Sequence, residues 1–390
     1  MRKRTVVIAL GVVVAAALLG LAYQTIATMR DTVRFPPPGI LVDVGPRRLH
    51  LLCAGSGAPT VILENGAFNN SASFAELRTE LAARTRVCSY DRQGIGWSDP
   101  ASWSTSVGAL ADELGVLQDR AGLAPPFVII ASSMGGIVTE MFARRYPERV
   151  AGLVFLDAAN SAMLPILDEA FHRVPARTAC LVATGAGVMG IARALDPFHL
   201  RSEPGEDAER SAALMYGSLP WSAACAVVRG LPATRDEFAR AAPLRADVPL
   251  VAMSADSAEG LLPPGASILL SPGTTAAMIP RLRETHKLLA KQSTRGSWML
   301  VKDSPHAIAG RHPEAVVNLL RDPRRRPFVV DLRLRHRGRL ASGLLGRRCI
   351  GGPRRGGRVS VCGQRGPKTQ GSERENQRDD AGAAQSRRCS

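Results

Sequence analysis

Phe127-Val128-Ile129-Ile130-Ala131-Ser132-Ser133-Met134-Gly135-Gly136 joins a continuous apolar run to a group of small and polar residues. The apolar run follows Pro125-Pro126 and reads as a strand buried on both faces. Residues 136–146 carry a helical pattern, so a serine stands where a buried strand turns directly into a helix. A side chain at the apex of such a turn needs a strained backbone, and the residues two before and two after it must be small for strand and helix to pass. Ala131 and Gly135 meet that condition around Ser133, whereas Ser132 would put Ile130 and Met134 at those positions. Ser133 is therefore the candidate nucleophile. The competing reading is a run of serine and glycine that only caps a helix.

Outward from this turn the same rhythm repeats. Short apolar strands are predicted at 61–63, 87–90, 152–156, 249–253 and 298–301, with helical stretches at 74–83, 107–121, 275–291 and 313–321. Such alternation predicts a parallel sheet covered on both faces. Before it, residues 39–55 read as a hairpin around Gly45-Pro46. Residues 158–248 interrupt the rhythm with short helical pieces broken by Pro175, Gly185, Pro197, Pro204, Pro220 and Pro232, and read as a mostly helical cap.

The ends of the chain differ from its body. Arg2, Lys3 and Arg4 precede a stretch without charge from Thr5 to Met29, whose core, 5–23, is almost wholly apolar. At about 1.5 Å per residue, nineteen helical residues reach roughly the 30 Å of a bilayer's hydrocarbon. An uncleaved anchor and a signal peptide both fit, the latter with Gly20-Leu21-Ala22 as a small-x-small site, and a buried helix is the third reading. The first two put the domain outside the cytoplasm, either membrane-anchored or secreted. Residues 35–38, Phe-Pro-Pro-Pro, read as a stiff spacer between this segment and the domain.

The net charge of +16 invites a nucleic-acid reading, but residues 322–390 hold 18 Lys and Arg against 6 Asp and Glu, so +12 of it belongs to the tail. That composition predicts a disordered segment rather than a specific nucleic-acid partner. Cys53, Cys88, Cys180 and Cys225 lie in the body, and no Cys/His cluster has metal-ligand spacing. Neither a metal nor a cofactor is expected. The organisation expected is an anchor or signal segment (1–34), a core in two parts (35–157 and 249–322), the cap (158–248) and a basic tail (323–390).

With these elements in order, residues 39–322 resemble the α/β-hydrolase superfamily, and within it the lipase- and esterase-like serine hydrolases. Three segments carry the resemblance: Ala131-Ser132-Ser133-Met134-Gly135 at the family's Gly-x-Ser-x-Gly turn, Asp91-Arg92-Gln93-Gly94-Ile95-Gly96-Trp97-Ser98 at its loop after the fourth strand, and Leu63-Glu64-Asn65-Gly66-Ala67 at its His-Gly segment after the third. The resemblance implies a mostly parallel eight-stranded sheet with helices on both faces and a helical cap. It also implies an oxyanion hole formed by the backbone N–H groups of Ala67 and Met134. It calls for a histidine after the last strand, where His306 stands, and for an acid between Ser133 and His306 in chain order. Asp256, closing the strand at 249–253, is the first candidate acid and Asp157, closing the strand at 152–156, the second. Ester hydrolysis through an acyl-enzyme on Ser133 is the expected activity, with a small-molecule ester as substrate. Amide, thioester or carbon–carbon cleavage, or ligand binding without catalysis, are the alternatives. In the family's sheet the second strand lies beside the fourth, which implies a Cys53–Cys88 disulfide, with two buried free thiols as the alternative; a Cys180–Cys225 bond within the cap is expected beside it.

Overall fold

The strand at the centre of the argument forms as its composition dictates. In the computed structural model, Phe127–Ser132 is a strand buried along its whole length. Its side chains alternate between the two faces: Phe127, Ile129 and Ala131 enter one apolar core, Val128 and Ile130 the other. The structure describes residues 2–166, 176–196, 206–257, 259–261 and 274–322. The expected basic tail, 323–390, and parts of the expected cap lie outside the described residues.

Along the chain run α1 (Arg2–Arg34), the hairpin strands β1 (Ile40–Asp43) and β2 (Arg48–Ala54), β3 (Val61–Glu64), α2 (Ala75–Ala82), β4 (Val87–Tyr90), α3 (Val107–Arg120), β5 (Phe127–Ser132), α4 (Gly135–Arg145) and β6 (Val150–Leu156). The helices α5 (Ala176–Val188), α6 (Ile191–Leu195), α7 (Glu206–Met215) and α8 (Ser218–Arg240) follow before β7 (Leu250–Ala255). Then come α9 (Thr274–Lys291), β8 (Gly296–Val301), α10 (Ile308–Arg311) and α11 (Pro313–Arg321). The eight strands form one sheet in the order β1-β2-β4-β3-β5-β6-β7-β8. Only the β1–β2 and β2–β4 pairings are antiparallel. The carboxyl ends of β3 and β5 to β8 therefore share one edge of the sheet, where side chains for chemistry collect.

The spacer lies between α1, which ends at Arg34, and β1, and it packs on the domain: Phe35 is buried, its carbonyl accepting from Trp97 Nε1 at 2.9 Å. The cap is less fragmented than its prolines suggest, since Pro220 and Pro232 both lie inside the 23-residue α8. Pro220 falls in the first turn, where the missing N–H has no intrahelical partner to lose. Farther along, Thr105 N–H donates to Ala226 O and Thr234 Oγ1 accepts from Val107 N–H, so tertiary bonds hold the helix through Pro232.

Cys53 and Cys88 face each other across the antiparallel β2–β4 register and form a disulfide. Cys180 and Cys225 are not bonded as expected. Both are buried free thiols between α5 and α8, with Cys180 Sγ 4.0 Å from Cys225 O, and burial pushes the Cys180 thiol up to about 12, so it stays protonated.

Candidate active site

Ser133 sits at the turn from β5 into α4 with φ at 51°, a left-handed conformation that a serine adopts only under constraint. The constraint comes from its neighbours. Ser133 N–H donates to Leu156 O at 3.3 Å, and Ser133 O accepts from Gly136 N–H at 3.0 Å and Ala159 N–H at 2.8 Å. A methyl group on Gly135 would stand 2.5 Å from Asn65 O, so the small residue two places after the serine is required by the β3 loop pressed against it. The side chain is thus fixed beside that loop, with Ser133 Cβ 3.2 Å from where a Gly66 Cβ would be.

The next residue after Leu156 is Asp157, which ends β6 in another left-handed turn, φ 44°. Its Oδ2 lies 2.6 Å from Nδ1 of His306, in the loop after β8, and its Oδ1 accepts from Ala255 N–H at 3.0 Å. Burial alone would raise the Asp157 carboxyl. The hydrogen bond to His306 and the electrostatic pull of that imidazole outweigh it, helped by the Ala255 N–H, and leave the group below its ordinary range. The backbone of His306 is itself tied down, its amide N–H donating to Glu259 O at 2.8 Å.

Of the residues named from the sequence, Ser133 follows β5 and His306 follows β8, so both stand at the same sheet edge, where His306 meets Asp157. Asp256 is not. Its Oδ1 lies 3.2 Å from Arg283 Nη2 and its Oδ2 accepts from Asp303 N–H at 3.3 Å, and it is partly exposed. The preference for Asp256 over Asp157 is thus reversed in the geometry: Arg283, one turn of α9 away from His286, takes the carboxylate that chain order had favoured.

Ala67 and Met134 line one narrow crevice, together with Arg92, Ile95 and, from α8, Ala223 and Val227. Met134 precedes the first turn of α4, where helix geometry leaves its N–H without an intrahelical acceptor. The Ala67 loop is held by Arg92, which the sequence reading had passed over as part of a turn. Its Nη1 donates to Asn65 O at 2.6 Å and to Glu64 Oε1, and its Nη2 donates to Gly66 O. Glu64 also accepts from the Tyr90 hydroxyl; burial raises its carboxyl against the pull of Arg92. The guanidinium thereby fixes both carbonyls just before Ala67.

A second set of residues missed from sequence supports the turn that holds Asp157. Trp298 Nε1 donates to Ser254 Oγ at 2.8 Å, Ser254 Oγ is 2.8 Å from His286 Nδ1, and His286 Nε2 is 3.0 Å from Ala158 O. The carbonyl demands a proton on Nε2, so Nδ1 accepts from the serine. Burial holds the His286 pKa below its usual value and keeps the ring neutral. No local pattern announces this chain, because its members come from β7, β8, α9 and the β6 loop.

A family model described as alpha/beta hydrolase fold matches residues 59–205. The chain has the α/β-hydrolase fold. The chain is similar to an uncharacterized protein of Schizosaccharomyces pombe, 31% identical over 153 residues, which are 32% of this chain and 29% of the relative. It is also similar to the pimeloyl-(acyl-carrier protein) methyl ester esterase of Shewanella woodyi, 33% identical over 127 residues, covering 33% of this chain and 46% of the esterase. The chain therefore spans less than half the length of either curated relative. Among solved structures, a thermophilic esterase from Thermogutta terrifontis superposes with a TM-score of 0.52 at 22% identity, over 74% of this chain and 98% of the esterase, a likeness of fold.

Proposed function

We propose that the protein is a serine hydrolase of carboxylic esters, held at a membrane by α1 with its hydrolase domain outside the cytoplasm. The observation that carries the chemistry is the 2.6 Å contact between His306 Nδ1 and Asp157 Oδ2, at the sheet edge that also carries a serine strained to φ 51°. Asp157 accepts from Nδ1–H and so leaves His306 Nε2 as the base. Nε2 takes the Ser133 proton as Oγ attacks the ester carbonyl; the tetrahedral oxygen is met by the Ala67 and Met134 N–H groups. The same nitrogen returns the proton to the leaving alkoxide, and a water activated by His306 then releases the acyl group from Ser133. A serine at this turn argues against epoxide opening, which relatives perform with an aspartate there. The printed activity of the Shewanella woodyi relative supports an ester as the substrate class.

The anchor reading rests on α1, which contains an 18-residue window of mean hydropathy 2.7, none of it buried. Arg2, Lys3 and Arg4 before it favour a cytoplasmic amino terminus. A fluorophosphonate probe tests the chemistry on the full chain: the adduct is expected on Ser133, lost in Ser133→Ala and retained in Ser132→Ala. An unlabelled wild-type protein, or equal loss in both variants, would refute the assignment.

A further inference from the structure

On the reading that α1 is an anchor, we propose that the corner of the cap between α5 and α6 is a second membrane contact, its exposed apolar side chains immersed in the outer leaflet beside the point where α1 leaves the bilayer.

The first observation is where α1 meets the domain. Residues 3–16 are exposed, and from there on a helical stripe of partly or wholly covered positions begins: Ala17, Gly20, Gln24, Ala27, Asp31 and, just past the helix, Phe35. The stripe packs on the cap. A methyl group on Gly20 would stand 2.7 Å from Met189 O, and one on Gly190, itself at φ 70°, 2.8 Å from Tyr23 Cδ1. Gln24 is buried, its Nε2 donating to Tyr216 O at 2.8 Å and its Oε1 accepting from Arg193 Nε at 3.0 Å. Arg193 also reaches Asp31 at 2.5 Å. The helix is thus an integral part of the cap's packing rather than a tether ending in a flexible joint.

The second observation is height. With Arg4 at the cytoplasmic boundary, Gly20 lies sixteen residues up the helix, about 24 Å at 1.5 Å per residue, whereas the hydrocarbon is roughly 30 Å thick. The Met189–Gly190 turn touching Gly20 and Tyr23 therefore falls about 6 Å inside the far boundary, the depth at which interfacial helices bury their apolar faces. Tilt of α1 only deepens it.

The third observation is what surrounds that turn. Val188 and Ile191 flank it, Leu195 lies one turn beyond Ile191, and Leu181 and Val182 lie two turns before Val188; Leu181, Val182 and Leu195 are 75%, 66% and 73% exposed. A water-facing corner would not carry this side-chain set at this height, and a lipid leaflet is the occupant that the continuity with α1 selects. The corner also connects to the site: Trp221 packs on Gly187, where a methyl would be 2.7 Å from its ring, and Trp221 stacks at 5.3 Å on Phe68, the neighbour of Ala67. Esters dissolved in the leaflet are accordingly the substrates nearest the oxyanion loop.

Photo-crosslinking of the full chain in phosphatidylcholine/phosphatidylglycerol vesicles (3:1) tests the contact without relying on activity. Benzoylphenylalanine replaces one exposed residue at a time: Leu10 in α1, Ile191 and Leu195 in the corner, and Val116 on α3 as control. Irradiation is expected to give phospholipid adducts at Leu10, Ile191 and Leu195 in comparable yield, and at least tenfold less at Val116. Adducts at Leu10 but not at Ile191 and Leu195 would overturn the contact and leave the anchor standing. Adducts at none of the four would overturn the anchor itself, and yields at Val116 equal to those in the corner would overturn the contact's specificity.

Discussion

Replacing Asp157 by asparagine removes one negative charge and almost no volume, so it isolates what the carboxylate does for His306. In the native site both carboxylate oxygens accept, Oδ2 from His306 Nδ1 and Oδ1 from Ala255 N–H. An asparagine offers only one acceptor atom. If its oxygen keeps the Ala255 N–H, its amide faces Nδ1 as a donor and fixes the imidazole with its proton on Nε2, the nitrogen that must take the Ser133 proton. If its oxygen turns to Nδ1, the Ala255 N–H loses its acceptor and the imidazolium formed during attack loses its counter-charge. Either arrangement is expected to lower kcat by about 10⁴-fold, about 5 kcal/mol of barrier, with KM little changed. Asp256→Asn disturbs a partly exposed contact with Arg283 and is expected to change kcat by no more than about twofold, in keeping with the small worth of such pairs. Steady-state hydrolysis of a short-chain p-nitrophenyl ester by the two variants, with circular dichroism to verify folding, measures both. A folded Asp157→Asn enzyme retaining more than a tenth of wild-type kcat, or a larger loss in Asp256→Asn, would refute the assignment of the acid.

Three further outcomes follow from the same structure. Arg92→Met should leave the Asn65 and Gly66 carbonyls unheld and lower kcat at least tenfold with KM nearly unchanged, and a KM effect alone would show that the loop does not depend on the guanidinium. His286 is held neutral by burial, so protonating it in the unfolded chain at about pH 6.5 and below favours unfolding; stability should fall as pH drops from 7 to 5, and this slope should be shallower in His286→Gln by thermal melts. Cys53 and Cys88 close a separation of 35 residues, for which chain entropy gives about 4 kcal/mol, so the double Cys→Ala variant should melt lower by several degrees, and an unchanged melting temperature would mean the bond constrains nothing.

What could be read from the sequence was what short-range physics specifies. The β5–α4 turn identified itself because strand period, helix period and two small residues coincide within ten positions, and the close approach of Asn65 O to Gly135 is the contact those small residues serve. The hairpin and its Cys53–Cys88 pairing were legible for a related reason, since alternation and a single turn fix the β1–β2 register, and the family's strand order then sets Cys53 opposite Cys88. α1 was legible as an apolar helix and no more. Gln24 and Asp31 resemble the ordinary polar end of a span, and their partners lie 192 and 162 residues away at Tyr216 and Arg193.

The partner of His306 was not legible, for a more instructive reason. Asp157 and Asp256 close adjacent parallel strands, β6 and β7, so both arrive at the edge that His306 overlooks. Strand order and chain order cannot separate them, and the more usual position favours Asp256, whereas the contact with His306 is made by Asp157. Separation comes from side chains supplied by α9 and from backbone turns that no local pattern encodes. A left-handed turn at Asp157 aims its carboxylate back across β6 toward the β8 loop. The bond from His286 to Ala158 O holds that turn, while Arg283 from the same helix draws Asp256 away. One helix therefore makes both choices, through two residues three positions apart. Exchanging Arg283 for methionine should accordingly release Asp256 without transferring the role, because the bond from His286 to Ala158 O would still hold the turn and Ala255 N–H the Asp157 carboxylate. An Arg283→Met enzyme is expected to keep wild-type kcat within about threefold and to lose it again when Asp157→Asn is added, with no recovery from Asp256; recovery of activity in that double variant would show the two carboxylates to be interchangeable.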